Sequence, residues 1–396
     1  MKKWILFATV STIYFFVYLH RTSTAVLADL LISEFSITAI SIGLFTSAYF
    51  YTYSALQIPV GYLSDTFGAR KVVSFFTFLL FLGVTIFSLA PNFELALFGR
   101  MLIGFGAAGV YVPSVMLFSR LYKPYEFATI LGIFFAIGNA GSIFSSYPLA
   151  VLTSLLGWRT VFGIIATLTV LMLIIFFLVS EDYTEKRIEK IKLNDFVYIA
   201  ISRNLWCIGL TSFLRYGAAM GFQGVWGGLF LMEVYKLGRE EVGIILLIMA
   251  SGVLIGAPVL GYLSDLTKSR KWIIFLGSLG VTICWIPLTF KTSSMHIWEL
   301  CFISFALGFF GGSGSTTYAL IKEFFPPKSL GLASSMHNVF PFLGATAFQV
   351  IMGYIIDLLS ENKIEAYSYA FGFCLVSCIL SVVLSILIQE GKSNYR

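Results

Sequence analysis

Eleven residues, Gly61-Tyr62-Leu63-Ser64-Asp65-Thr66-Phe67-Gly68-Ala69-Arg70-Lys71, return 200 positions later as Gly261-Tyr262-Leu263-Ser264-Asp265-Leu266-Thr267-Lys268-Ser269-Arg270-Lys271. Gly43 and Gly243 keep the same offset upstream. Both copies lie between long apolar segments. A duplication on this scale, in so apolar a chain, implies two homologous membrane bundles. Glycine suits the tight turns such a stretch needs, and the second copy has Lys268 where the first has Gly68.

Composition excludes the soluble alternatives. Of the 396 residues, 58% are hydrophobic and 12% charged, with a mean hydropathy of +0.89. A soluble domain of this size needs far more surface charge. The 40 Phe, 20 Tyr and 35 Gly fit lipid-facing aromatics and glycines that let helices approach closely. The net charge of +6 carries no nucleic-acid signal, because its placement matters more than its sum. Cys207, Cys284, Cys301, Cys374 and Cys378 all fall in apolar segments and read as buried structural thiols. Cys374 and Cys378 share a helix face, but two thiols without His or carboxylate neighbours make a poor metal site. Lys2, Lys3, an apolar run and Ala25-Val26-Leu27-Ala28 imitate a cleavable signal peptide. Cleavage there would break the two-fold repeat, so the first helix is expected to remain.

A membrane-spanning helix needs about 20 apolar residues. Twelve segments meet this, at roughly 4–30, 38–61, 71–91, 94–120, 128–153, 159–180, 204–233, 241–262, 272–290, 297–322, 331–357 and 366–389. The expected architecture is an all-α membrane protein of two pseudo-symmetric six-helix bundles, residues 1–180 and 204–396. A charged cytoplasmic linker at 181–203 joins them, with Glu185, Lys186, Arg187, Glu189, Lys190 and Lys192 suiting a solvated or headgroup-lying segment. With the N-terminus inside, eighteen Lys and Arg fall in cytoplasmic pieces and five outside. That bias puts both termini in the cytoplasm of a cell whose inner (plasma) membrane the chain spans.

Arg21, Arg100 and Arg215 lie inside spans. An ionised side chain at such depth is costly, so it faces the bundle interior or water and marks a functional hypothesis. Arg21 is in the first span and Arg215 in the seventh, equivalent places in the two halves, staggered by six residues, about 9 Å of helix rise. On ideal helical phase, Tyr14, Tyr18 and Arg21 share one stripe. Thr211, Arg215, Phe222 and Trp226 share another, with Gln223 at its edge, and Arg100, Gly104, Ala107 and Tyr111 a third. Asp29 and Glu94 lie near span ends, so the counter-charge to a buried guanidinium is expected to arrive with the substrate. Each arginine also has a plainer reading. Arg215 would be satisfied by helix carbonyls, Asn338 or His337; Arg21 would snorkel outward; Arg100 would serve a general structural or coupling role. His20 points about 100° away from Arg21 and reads as packed or at the lipid edge. His337, Asn338 and Asn139 read as interhelical hydrogen bonds.

The pattern G-x-L-x-D-x-x-G-x-(R/K)-(R/K) at Gly61–Lys71 resembles the signature loop between the second and third helices of the major facilitator superfamily. Arg100-Met101-Leu102-Ile103-Gly104-Phe105-Gly106 matches that superfamily's fourth-helix motif. The resemblance implies its fold and a rocker-switch carrier. It also implies gate contacts among Asp65, Arg70, Arg120, Asp265 and Arg270 that close the cytoplasmic side. The arginines of the first and seventh spans resemble the arrangement in facilitators of organic anions and organophosphates, where cavity arginines hold a carboxylate or phosphate.

The expectation is therefore a secondary active or facilitative transporter of a small organic anion. Arg21 and Arg215 would bind it, with Tyr14, Tyr18, Gln223, Trp226, Arg100 and Tyr111 shaping the site. Phe222–Gly227 also resembles bacterial porters similar to lysosomal dipeptide carriers, which keeps a dipeptide or zwitterion open, as it does an anionic iron chelate. A coupling proton stays open as well, with Glu94, Asp29 and His337 as the available groups. A solute sensor built on a transporter scaffold is the alternative of another class. No G-x-x-x-x-G-K-(S/T) nucleotide loop, metal cluster or nucleophile–base spacing occurs, so neither an enzyme nor a cofactor site is expected. The partners expected are the substrate and the bilayer, with the chain a monomer.

Overall fold

The computed structural model describes residues 2–181, 193–325 and 330–390. Most of the charged linker expected at 181–203, from Glu185 to Lys192, lies outside them, as does the side chain of Asp65. Helices make up almost all of the rest, with no strand among the described residues.

Two compact units result: Met1–Ile37 with Phe45–Lys190, and Thr38–Leu44 with Ile191–Arg396. The first contains α1 (Lys2–Thr22), a 3₁₀ turn at Ser23–Val26, α2 (Ala28–Phe35), the greater part of α3 (Ala39–Ala55), α4 (Gln57–Phe67) and α5 (Ala69–Leu89). It continues through α6 (Phe93–Ala108), α7 (Tyr111–Leu121), α8 (Pro124–Phe144), α9 (Tyr147–Leu156) and α10 (Trp158–Val179). The second has α11 (Leu193–Ala200), α12 (Arg203–Gly221), a π-helical turn at Phe222–Trp226, α13 (Gly227–Glu233) and α14 (Arg239–Thr267). Its remaining helices are α15 (Arg270–Phe290), α16 (Ile297–Gly311), α17 (Gly314–Phe324), α18 (Leu330–Leu358) and α19 (Lys363–Leu387).

Nine stretches among the described residues are long and apolar enough to cross a membrane, with α6–α7 and α16–α17 each counted as one, and a tenth if α8 and α9, bent by 48°, count as one. The two remaining spans are α3–α4, interrupted at Leu56, and α12–α13, interrupted by the π turn. The order is that of the twelve expected spans.

In lipid, apolar burial does not drive helices together, so close backbone approach and specific polar contacts must do it. At Gly141 on α8 an added Cβ would lie 2.1 Å from the Phe15 carbonyl oxygen on α1, so only glycine lets these helices touch. The end of α2 is tied to the start of α10 by Glu34. Its carboxylate accepts from Arg159 Nη2 at 2.6 Å and Arg159 Nε at 3.1 Å, while Trp158 Nε1 donates to its other oxygen at 2.6 Å. In the second unit the Asp357 carboxylate accepts from the backbone N–H groups of Ala39 (2.9 Å) and Ile40 (2.7 Å). A carboxylate there satisfies orphan donors of the first turn of α3 and complements its dipole.

The repeated stretch is mostly helix rather than loop. α4 runs to Phe67, Gly68 turns the chain with φ 86°, and α5 begins at Ala69. In the second copy α14 runs to Thr267, and Lys268 makes the turn with φ 52°. Lys268 thus takes a left-handed conformation, with ψ 27°, where Gly68 holds a positive φ with ψ 148° and no Cβ penalty. Asn139 also differs from expectation: its side-chain N–H₂ donates to Phe135 of its own helix at 2.9 Å rather than across helices.

Candidate functional site

Each unit holds a buried arginine within a polar cluster. In the first unit Arg21, 8% exposed, closes α1 one turn beyond Tyr18. Its guanidinium carbon lies 4.3 Å from the centre of the Tyr18 ring and 5.5 Å from that of Tyr53. Tyr49 and Tyr53 both hydrogen-bond Arg21. The Tyr49 hydroxyl gives its own proton to the Val17 carbonyl at 3.1 Å, so its lone pairs face the guanidinium. Ring faces attract a desolvated cation. Arg21 is therefore held inside the unit and does not snorkel outward.

Tyr14 donates to the Tyr18 hydroxyl at 3.3 Å and stacks on Phe134 at 4.2 Å, with the Tyr111 ring 5.8 Å from Tyr14 and 6.4 Å from Phe134. Four of the expected residues thus converge: Arg21, Tyr18, Tyr14 and Tyr111. Tyr49, Tyr53 and Gln57 were missed. The four-residue spacing of Tyr49 and Tyr53 puts both on one face of α3, a signal available in the sequence but indistinguishable there from ordinary aromatic packing, and Gln57 lies just past the interruption at Leu56.

Arg100 is not part of this surface. It is 1% exposed, under the rings of Tyr49 (5.2 Å) and Phe45 (5.6 Å), and its Nε and Nη2 have no hydrogen-bond partner among the described residues. The stripe linking Arg100 to Tyr111 fails because α6 ends at Ala108 and α7 starts at Tyr111, which resets the helical phase. His20 is fully buried against Phe162, at 5.7 Å between ring centres, as packing predicts.

In the second unit Arg215 on α12 is 3% exposed, and its Nη1 donates to Ser313 Oγ. Ser313 sits in the break between α16 and α17, in the run Gly311-Gly312-Ser313-Gly314-Ser315. A Cβ at Gly277 on α15 would lie 2.9 Å from Arg215 Nη1, so glycine makes the room. Among the described residues neither Arg100 nor Arg215 has an ion pair. Of the partners considered for Arg215, Asn338 instead accepts from the Tyr318 hydroxyl, and His337 meets Thr317 Oγ1 at 3.3 Å. Ser313 had no sequence signal, since 98 residues separate it from Arg215.

Phe222, Gln223 and Trp226 depart from the expected stripe. Four residues apart, Phe222 and Trp226 would share an α-helical face, yet Phe222 packs on Trp285 and Phe371, while Trp226 Nε1 donates to the Gln349 carbonyl at 2.9 Å. The π turn inserts an extra residue into the helix and rotates the rest of the span. Trp226 is fully buried there as a tie between spans, and Gln223 is buried within the same turn.

The expected gate residues are partly visible. Arg270 pairs with Asp265 at 2.5 Å and with Glu323 at 2.9 Å, a second carboxylate the sequence did not suggest. Arg70 donates to Ser180 Oγ at 3.1 Å and to the Phe177 carbonyl at 2.9 Å. Arg120 closes α7. Its expected pairing with Asp65 falls on a side chain outside the described residues.

The model of the Major Facilitator Superfamily matches residues 10–238 and 208–394. The chain is similar to the probable sulfoacetate transporter SauU of Cupriavidus necator, 22% identical over 87% of this chain and 85% of the relative. It is also similar to the nitrite extrusion protein of Bacillus subtilis (25%; 80% of each chain). The probable galactarate/D-glucarate transporter GarP of Escherichia coli is 25% identical over 86% of this chain and 85% of the relative. Among solved structures, a bacterial homolog of the human lysosomal transporter Spinster, inward-facing and unoccupied, superposes with a TM-score of 0.75. That match is at 19% identity and covers 98% of this chain and 95% of the other.

Proposed function

The chain belongs to the Major Facilitator Superfamily, and from that premise we propose that it carries a small organic anion, a carboxylate or phosphate ester, across the cell's inner membrane by alternating access. It is a multi-pass membrane transporter and not an enzyme. The observation that carries the anion reading is Arg215: a guanidinium buried inside a span, bound to a serine hydroxyl, with no carboxylate paired to it among the described residues. A charge so placed is stabilised when an anion joins it. In the first unit Arg21, beside Tyr18, is the candidate for the same role. Relatives named for sulfoacetate, galactarate and glucarate support the same class. The Lys and Arg bias supports cytoplasmic termini.

The test is thermal unfolding of purified protein with sulfoacetate, galactarate, sugar phosphates, nitrite and dipeptides. A ligand bound to the native state raises the melting temperature by mass action. An organic anion is expected to do so. Arg21→Ala and Arg215→Ala each should weaken it by about 1.5–3 kcal/mol, the range for hydrogen bonds to charged groups, roughly ten- to hundredfold in Kd. A response to dipeptides alone, or an anion response that survives both substitutions, sinks the reading.

A further inference from the structure

The second unit contains a buried base whose acceptor nitrogen has no partner among the described residues. His337 on α18 is 1% exposed, and its Nε2 lies 3.3 Å from Thr317 Oγ1 on α17. Thr317 gives its hydroxyl proton to the Gly314 carbonyl at 2.6 Å, and a hydroxyl has only one proton to give. Towards His337 the threonine therefore accepts. That puts the imidazole N–H on Nε2 and leaves Nδ1 as a bare lone pair. Nδ1 is buried, with no hydrogen-bond partner among the described residues.

One turn earlier, Ser313 treats Arg215 in the same way. It gives its proton to the Phe310 carbonyl at 2.7 Å and offers a lone pair to the guanidinium. Two hydroxyls four residues apart thus hold a cation and a free base. Ser313 and Thr317 thereby set Arg215 and His337 one helical turn apart. Tyr318 meets the imidazole edge-on at 5.3 Å, its hydroxyl engaged by Asn338 on α18.

We infer that His337 Nδ1 takes up one proton for each anion bound at Arg215, which makes the protein a proton–anion symporter. The inference rests on the anion reading above. A proton on Nδ1 places a second positive charge beside the guanidinium, and like charges in a weakly screened site repel. A bound anion cancels that repulsion, so anion and proton each favour the binding of the other by the same factor. The proton comes from water on the loading side and adds to the Nδ1 lone pair. It returns to water on the far side as the anion leaves, and the imidazole ends as it began. Asp29 and Glu94 do not compete for the role: Glu94 is exposed and Asp29 only half-buried, each in the first turn of its helix.

The experiment uses the full chain in liposomes with radiolabelled galactarate and sulfoacetate as probes, wild type beside His337→Gln. Glutamine keeps an amide N–H for Thr317 and has no titrating lone pair. An inward proton gradient should drive accumulation in the wild type. In His337→Gln this accumulation should fall at least tenfold while counterflow, which moves no net proton, remains measurable. Gradient-driven accumulation in His337→Gln equal to wild type overturns the inference and leaves the anion reading standing. Loss of counterflow along with accumulation makes His337 a solute contact or a structural residue and also overturns it. Absence of counterflow in the wild type with either probe overturns the anion reading, and this inference with it. A measurement that needs no variant is proton uptake by wild-type protein in weakly buffered detergent when probe is added: about one proton per bound anion is expected, and none overturns the proposal.

Discussion

At the scale of single residues, burial alone does not separate a binding group from a brace. Arg215, Arg100 and Trp226 are all almost fully buried, and their hydrogen bonds tell them apart. Arg215 reaches a hydroxyl in a break between helices, Arg100 lies under two aromatic rings, and the Trp226 indole is spent on a backbone carbonyl. Trp226→Phe removes that one hydrogen bond and leaves the Gln349 carbonyl buried. The expected cost is about 1–2 kcal/mol of stability, read as a lower melting temperature, with the anion-induced rise retained. A variant that melts normally but no longer responds to anion would return Trp226 to the binding site.

At the scale of elements, the breaks decide where side chains point. Leu56, Gly109, the π turn at Phe222–Trp226 and the Gly311–Gly314 run each reset the phase of a span. Each also lies close to a residue of one of the two clusters. The repeated turn makes a further prediction. Lys268 adopts φ 52° where Gly68 adopts φ 86°, and the left-handed region costs a residue with a Cβ about 1–2 kcal/mol. Lys268→Gly should therefore raise stability by about 1 kcal/mol, after allowing for glycine's greater freedom in the unfolded chain. Denaturation in detergent checks this; a destabilised variant would mean that the lysine side chain, rather than its backbone, matters there.

At the scale of the whole molecule, charge placement sets topology. On the eighteen-to-five distribution of Lys and Arg, the turn at Ser360 is expected outside the cell and Thr66, at the end of α4, inside. Both residues are exposed. A membrane-impermeant maleimide added to intact cells should label Ser360→Cys and leave Thr66→Cys unlabelled until the cells are opened. Four of the five native cysteines are buried and Cys301 is half-buried, so background labelling is expected to be low. The reverse pattern would invert the orientation and the direction assigned to every gate residue.

The duplication, the twelve spans and the depth of the three arginines could be read without coordinates, because hydropathy and covalent order are properties of consecutive residues. Tyr14, Tyr18 and Arg21 were also legible, since α1 is regular through all three and ideal spacing holds. The partners of each guanidinium were not. Tyr49 and Tyr53 reach Arg21 from another span, and Ser313 reaches Arg215 across 98 residues. The readings that failed, Arg100 with Tyr111 and Phe222 with Trp226, each ran a 3.6-residue period through a break. Such breaks form only where neighbouring helices satisfy the freed backbone groups, so the chain's own sequence determined which charges would be buried, and tertiary packing decided what each of them would face.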